Sequence, residues 1–294
     1  KYQSKGALGL KIEKRGRREG EKRTLSPTQE SKIRELITDN TPDQVKLTFA
    51  LWTRQAVCEI IASQFDLKMP IRTVGEYLAR WGFTPQKPLK QAYEQRPAAL
   101  EKWLKEDYVE IAKRVKEEGG ELHWGDETGI RSDSQHGRSY SPQGKTPIIR
   151  LSAKRVSVNM ISTITNQGKV RFMIYKDKMN AKVLIKFMKQ LIKGSSKKIF
   201  LVLDNLRVHH AKLVAQWLKE HPQEIEIFYL PSYSPELNPD EYLNCDLKAG
   251  VHSRPPSRNQ EHLIKKVKSH MMKLQKLPQR VAKYFKHPKI AYAA

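Results

Sequence analysis

Three acidic positions in this 294-residue chain stand where they could do chemistry together. Asp126 lies in Trp124-Gly125-Asp126-Glu127-Thr128, Asp204 in Leu201-Val202-Leu203-Asp204-Asn205, and Glu241 in Asn238-Pro239-Asp240-Glu241-Tyr242. Carboxylates forced together need cations, and hard oxygen donors with open water positions suit Mg²⁺ or Mn²⁺. Two such ions about 3.5–4 Å apart activate an attacking oxygen and stabilise the leaving one in phosphodiester displacement. No covalent protein nucleophile is needed, because positioning and charge stabilisation carry phosphoryl transfer. Each acid also has a plainer role open to it. Asp126 can serve a turn, Asp204-Asn205 can cap a following helix, and Asn238 to Glu241 reads as a capping box.

The elements that must position these acids follow a change of period after Gly120. Glu121–Trp124 reads as a short strand closed by Asp126. Val156–Thr165 alternates and is β-branched, Asn166-Gln167-Gly168 turns, and Lys169–Tyr175 completes a hairpin. Asn180–Lys193 is helical, with Val183, Leu184, Phe187, Met188 and Leu191 on one side. Lys198–Leu203 is a continuous apolar strand suited to a buried parallel position, and Asp204 ends it. A helix over about His210–Glu220, a strand at Glu224–Leu230, a Pro-rich loop and a helix from about Asn238 follow. Three antiparallel strands extended by two parallel ones through helical crossovers give a mixed five-stranded sheet with helices on both faces. That α/β layout is expected of a ribonuclease-H-like domain. If its first and fourth strands are neighbours, about 4.8 Å separates their backbones and the two aspartates can converge.

Before Gly120 the pattern is helical. Ser26-Pro27-Thr28-Gln29 reads as a capping box with Pro at the first helical position, opening a helix through about Thr38. A second helix runs from Thr53 to about Phe65 with Val57, Ile60 and Ile61 inward, and a third from Pro70 to Trp81 with Ile71, Val74, Tyr77 and Leu78 inward. Two short helices joined by a tight turn describe a helix-turn-helix. The third helix would be the recognition helix, presenting Arg72, Thr73, Glu76 and Arg80, and Gln86–Lys90, with Lys87, reads as a basic wing. Pro97–Glu118 looks like a longer amphipathic linker helix. The implied organisation is a basic arm or linker (1–25), an all-α, winged-helix-like DNA-binding region (26–95), a linker helix (96–119), the catalytic domain (120–250) and a basic helical extension (251–294).

Charge names the class of partner. Lys plus Arg number 55 against 31 Asp plus Glu, a formal net charge of +24. Residues 1–25 carry +6 of it and residues 251–294 carry +10. A surface this basic suits a polyanion whose neutralised phosphates release counterions. Lys14-Arg15-Gly16-Arg17-Arg18 has the makings of a minor-groove arm, since arginines favour the groove's negative potential and glycine permits close approach. No apolar run approaches the roughly 20 residues needed to cross a bilayer, Lys1 to Gly9 lack a signal-peptide core, and Cys58 and Cys245 have no zinc or disulfide spacing.

The motifs around the acids are familiar. Trp-Gly-Asp-Glu-Thr-Gly, followed by Gly137-Arg138-Ser139-Tyr140-Ser141-Pro142-Gln143-Gly144-Lys145-Thr146-Pro147, resembles the start of the catalytic domain in bacterial insertion-sequence transposases of the mariner superfamily. Leu203-Asp204-Asn205 with His209-His210-Ala211-Lys212 is similar to their second acidic motif. Leu230-Pro231-Ser232-Tyr233-Ser234-Pro235-Glu236-Leu237-Asn238-Pro239-Asp240-Glu241 is similar to their third, and is the most specific of the set. The 36 residues between Asp204 and Glu241 match the short spacing of this superfamily. The resemblance implies a DDE transposase in which Asp126, Asp204 and Glu241 form the metal-binding triad for two Mg²⁺ (or Mn²⁺) ions. It further implies double-stranded DNA partners (inverted terminal repeats and target), at least a homodimer, no membrane, and a cytoplasmic, nucleoid-associated location. Arg15, Arg17, Arg18, Arg72, Thr73, Arg80 and Lys87 would hold DNA. Glu127 and Asp240 adjoin two of the triad positions and compete for the same roles. His209 and His210 are open to a DNA contact, to a proton transfer by His209, or to a plain surface role. Such proteins carry two N-terminal helix-turn-helix units, whereas one is legible here, so a first unit is expected to lie outside these residues. The rival readings are a ribonuclease-H-like DNA endonuclease that cuts without joining, and a sequence-specific DNA-binding protein whose catalytic domain has lapsed.

Overall fold

The structure, a computed structural model, describes residues 23–88, 92–134 and 139–294. The chain divides into two compact units, Lys1–Leu89 and Lys90–Ala294. In the first, α1 (Pro27–Asp39), α2 (Arg54–Phe65) and α3 (Ile71–Arg80) enclose a small core. The capping box forms as expected: Gln29 N–H donates to Ser26 Oγ at 3.2 Å and Ser26 N–H donates to Gln29 Oε1 at 2.8 Å. Ile33, Val57, Ile60, Ile61, Val74 and Tyr77 are buried together. Ile71 does not join them and is 51% exposed. It lies in the first turn of α3, on the margin of the stripe made by Val74, Tyr77 and Trp81 at helical spacing. The wing is not a strand over its described residues 86–88.

In the second unit, Pro97–Glu117 is one continuous helix with a π turn inside it: α4 (Pro97–Lys102), a π segment (Trp103–Asp107) and α5 (Tyr108–Glu117). The π turn has a packing reason. Trp103 and Ile111 lie about 80° apart on a regular α-helix, and the wider i→i+5 turn delays the rotation so that both face inward. Both are buried in the core of this unit, so the helix is anchored on the sheet along its length.

The strands are β1 (Glu121–Arg131), β2 (Ser157–Ile164), β3 (Val170–Tyr175), β4 (Ile199–Leu203) and β5 (Ile225–Tyr229). They form one mixed sheet in the order β3-β2-β1-β4-β5, antiparallel through β3-β2-β1 and parallel from β1 to β5. Asp126 does not close β1, which runs on to Arg131. The parallel ladder with β4 stops at Trp124, but the antiparallel ladder with β2 continues over Trp124–Arg131. The strand persists because one of its neighbours does. On one face, α6 (Ala181–Lys193) and α7 (Lys212–Lys219) bury Leu184, Phe187, Met188, Val214 and Trp217 against Ile161, Ile199, Leu201 and Leu203.

The other face is covered by α5, α8 (Asp240–His252) and α9 (Gln260–Gln275), followed by the short α10 (Pro278–Ala282). The basic C-terminal segment is therefore amphipathic. Leu263, Val267, Met271, Leu274, Val281 and Phe285 complete the core, and its lysines face outward except Lys266, which is buried and donates to the Pro255 carbonyl. At the β2–β3 turn, Gly168 (φ +85°) lies against the Pro278 backbone, where a Cβ would sit 2.1 Å from the carbonyl oxygen. No helix among the described residues is long and apolar enough to cross a membrane. Cys58 and Cys245 are unpaired.

His123 on β1 is buried, with Nδ1 3.2 Å from Thr163 Oγ1. Burial pulls its pKa down to about 4, against the opposing pull of Glu121. Between about pH 6.5 and pH 4 the unfolded chain then binds a proton that the folded chain does not. Stability is therefore expected to fall as pH drops through that window, by up to about 3 kcal/mol. Urea melts of His123→Gln at pH 7 and pH 4.5 check this: the variant's pH slope should be shallower than that of the parent chain, and an equal slope would remove His123 as the cause.

Candidate active site

Asp126 and Glu127 are adjacent in β1, and the pleat sends their side chains to opposite faces of the sheet. Asp126 shares its face with Trp124 and Ile130, beneath α5, α8 and α9. In the antiparallel register it stands opposite Ser162 of β2. The Asn244 amide on α8 donates to Asp126 Oδ2 at 2.8 Å. Glu127 points to the other face and meets His209 Nε2 at 2.8 Å. Glycine is needed between these strands at 125, since a Cβ there would lie 2.8 Å from Leu203 Cδ2 and 3.1 Å from the Ser162 carbonyl. The Gly125 carbonyl accepts from Asn238 Nδ2 at 2.9 Å.

Asp204 follows the last residue of β4, beside β1, as the sheet order requires. Asp240 and Glu241 open α8 with different surroundings. Asp240 is fully buried, and its Oδ2 accepts from Ser162 Oγ at 2.6 Å. Glu241 lines a cleft of about 500 Å³ with Asp126, Asp204, Asn205, Arg207 and Tyr233. The capping box expected at Asn238 does not form: Pro239 takes the cap position without a side-chain bond, and Asn238 Oδ1 accepts from the Asp240 N–H at 3.0 Å. Asn238 thus ties the start of α8 to β1.

The electrostatics of the cleft are those of crowded acids. Burial, then the charges of Glu241, Asp240 and Asp204, push Asp126 well above the usual carboxylate range. Burial and then Glu127 push Asp204 up to about 6, with His209 opposing. Asp240 is also raised well above that range, by burial first, against the Ser162 hydrogen bond. Among the described residues, neither Lys nor Arg forms an ion pair with Asp126, Asp204 or Glu241. Three carboxylates whose mutual repulsion no lysine or arginine relieves fit hard divalent cations.

Sequence reading missed the position of His209. It is 1% exposed within the 3₁₀ turn Arg207–His210, so both a surface role and a direct DNA contact are closed to it. Its Nδ1 lies 3.0 Å from the Asp204 carbonyl oxygen, which can only accept, so this nitrogen carries a hydrogen. Burial lowers its pKa, but the Glu127 hydrogen bond and charge outweigh that and raise it. Ligand atoms of Glu127, Asp204 and His209 lie within 4.8 Å of one another. His210 is exposed, its ring 4.1 Å from that of Tyr229 and its Nε2 2.6 Å from Asn205 Oδ1.

In the first unit, Arg72 is exposed and ion-paired with Glu76 at 3.6 Å, Thr73 is half-buried, and Lys87 is exposed. Arg80 is exposed over the Tyr77 ring, 4.3 Å from its centroid. Arg15, Arg17 and Arg18 lie outside the described residues.

Residues 121–264 match the family described as DDE superfamily endonuclease. That match spans the five strands of the second unit. Residues 48–107 match the family described as winged helix-turn helix. The second unit has the five-stranded, ribonuclease-H-like fold of the solved structures it resembles. The Mos1 mariner paired end complex with Mg is 15% identical with a TM-score of 0.66, covering 100% of this chain and 85% of that one. The Mos1 mariner paired end complex with Mn is 16% identical with a TM-score of 0.63, covering 99% and 85%. The Mos1 paired-end complex with left transposon end is 16% identical with a TM-score of 0.61, covering 95% and 83%. No curated protein sequence matches the chain.

Proposed function

We propose that this chain is a mariner-like DNA transposase that binds the inverted terminal repeats of a mobile element, cleaves DNA at its ends and joins the freed 3′-hydroxyl to target DNA. The observation that carries the reading is the meeting of Asp126, Asp204 and Glu241 at one cleft of the DDE domain, in a chain that also has a winged helix-turn-helix region. Likeness to the solved Mos1 mariner paired end and strand transfer complexes supports it.

In this reading Asp126, Asp204 and Glu241 would hold two divalent cations. When bound, these supply Lewis-acid activation of the attacking oxygen and charge stabilisation at the leaving one. The chain's own residues do the positioning. Asn244 and Asn238 hold Asp126 and the start of α8 to β1, and His209 ties Asp204 to Glu127. Arg207, exposed at the cleft, meets the phosphate backbone. Arg72, Thr73, Arg80 and Lys87, with Arg15, Arg17 and Arg18, grip the end sequence, and pairing two ends makes the working form at least a homodimer. A membership in the bacterial insertion-sequence branch goes with this reading.

A precut duplex bearing a 3′-hydroxyl end, incubated with the chain, Mg²⁺ and a supercoiled target plasmid, tests it. Joined product is the expected outcome. Cleavage of an uncut end without any joined product would make the protein a nuclease.

A further inference from the structure

Two polar side chains of α8 clip that helix to a pair of neighbouring strands. Asp240 and Asn244 are four residues apart and so share one helix face. Asp240 accepts from Ser162 of β2, and Asn244 donates to Asp126 of β1. Asp126 and Ser162 are themselves opposite one another in the β1–β2 ladder. One cross-strand pair is thus matched by one pair of positions on the helix, across 118 residues of chain for Asn244 and 78 for Asp240.

Asn244, like Asp240, carries a buried oxygen without a partner among the described residues, but it alone of the two is uncharged and bonds an acid of the cleft. It is 1% exposed, and its Oδ1 has no hydrogen-bond partner among the described residues. A buried carbonyl without a partner weakens a fold, so a residue needed only for packing between Leu243 and Leu247 would serve better as leucine. What leucine lacks is the amide N–H. A neutral donor fixes the orientation of a carboxylate without bringing a positive charge to compete with a cation for it. Lysine at this position would neutralise Asp126 and repel the ion.

We propose that Asn244 is a positioning residue for Asp126, fixing the orientation in which that carboxylate is offered to the divalent cation. This rests on the reading of the cleft as a cation site. The test is Asn244→Leu in the full chain, followed by Mn²⁺ titration calorimetry, thermal melting, end-DNA binding and Mg²⁺-dependent cleavage. Mn²⁺ affinity and cleavage are expected to fall about tenfold or more, the scale seen when a partner of a metal-ligating carboxylate is removed. The melting temperature should be unchanged or raised, and end binding unchanged. Asn244→Met, which also lacks the donor and adds no charge, should weaken Mn²⁺ binding too. Wild-type Mn²⁺ affinity in both variants would overturn the proposal, as would a melting temperature that falls in step with activity. Asp204→Asn separates the two levels: if it also leaves Mn²⁺ binding intact, the cation-site reading fails and takes this proposal with it.

Discussion

Asp204→Asn is expected to lower Mg²⁺-dependent cleavage of an end-bearing duplex by about 10³-fold or more, equivalent to about 4 kcal/mol of barrier, with binding to that duplex nearly unchanged. The substitution keeps the shape of the side chain and removes its charge. Asp204 lines the cleft with Asp126 and Glu241 and also meets His209, and burial, then Glu127 and Glu241, raise its pKa against the pull of His209. Loss of one carboxylate therefore weakens cation binding at the centre of the cleft rather than at its edge. The proposed grip on DNA lies with Arg72, Thr73, Arg80 and Lys87 in the first compact unit, whereas Asp204 belongs to the second. Gel-shift and cleavage assays on the same preparation distinguish the two effects. Full cleavage by the variant would sink the metal-site reading.

Asp246→Ala is expected to cost about 3 kcal/mol of stability. Asp246, on α8, accepts from Arg280 Nε at 2.7 Å, Arg280 Nη2 at 3.0 Å, Tyr284 Oη at 2.6 Å and His270 Nε2 at 3.0 Å. Burial pushes its carboxyl up, yet these hydrogen bonds hold it below the usual range. Breaking a buried charged pair from one side costs about 3–5 kcal/mol. The lower end applies because Arg280 is 51% exposed and keeps much of its hydration. For a unit of this size the loss corresponds to a melting temperature lower by roughly 6–12 °C. The partners come from α9, α10 and the turn after them, so the C-terminal segment should loosen first. Amide exchange that speeds up over residues 260–290 would report it, and an unchanged melting temperature would refute the estimate.

Much of the architecture was legible because the signals were local. The apolar run Ile199–Leu203, the capping box at Ser26 and the cap at Asn180 each depend on residues within a few positions. Strand order followed from hairpin and crossover rules, and it brought Asp126 beside Asp204. What stayed closed was which of two adjacent acids would face the cleft. Asp126 and Glu127 are separated by the strand pleat, and Asp240 and Glu241 by the rotation of α8. Neither separation shows until the register is known. The burial of His209 depends on Glu127, 82 residues away, and that of Asn244 on Asp126. One signal was available for Asn244: a polar residue set among Leu243, Leu247 and Val251, on an otherwise apolar stripe. The packing of the C-terminal segment was not legible from its charge, which marks only the residues left in water. The apolar spacing of Leu263, Val267, Met271 and Leu274 was the better guide.

The opposed directions of Asp126 and Glu127 bear on which sequence changes the protein can tolerate. A strand that alternates faces has no gradual failure mode when its register slips by one residue. Deleting one residue before Trp124 would present Glu127 where Asp126 belongs, at a longer reach and without a matching donor from α8. It would also turn the aspartate toward His209. The acidic content of the strand would be unaltered, and a composition-based comparison would score the altered chain as intact. Ser132 and Val156 still hydrogen-bond across the two strands, and the sequence between them lies beyond that pairing and can change length without moving the frame. Natural length variation in this protein is therefore expected to collect between Ser132 and Val156 and to be absent from the strand beside them.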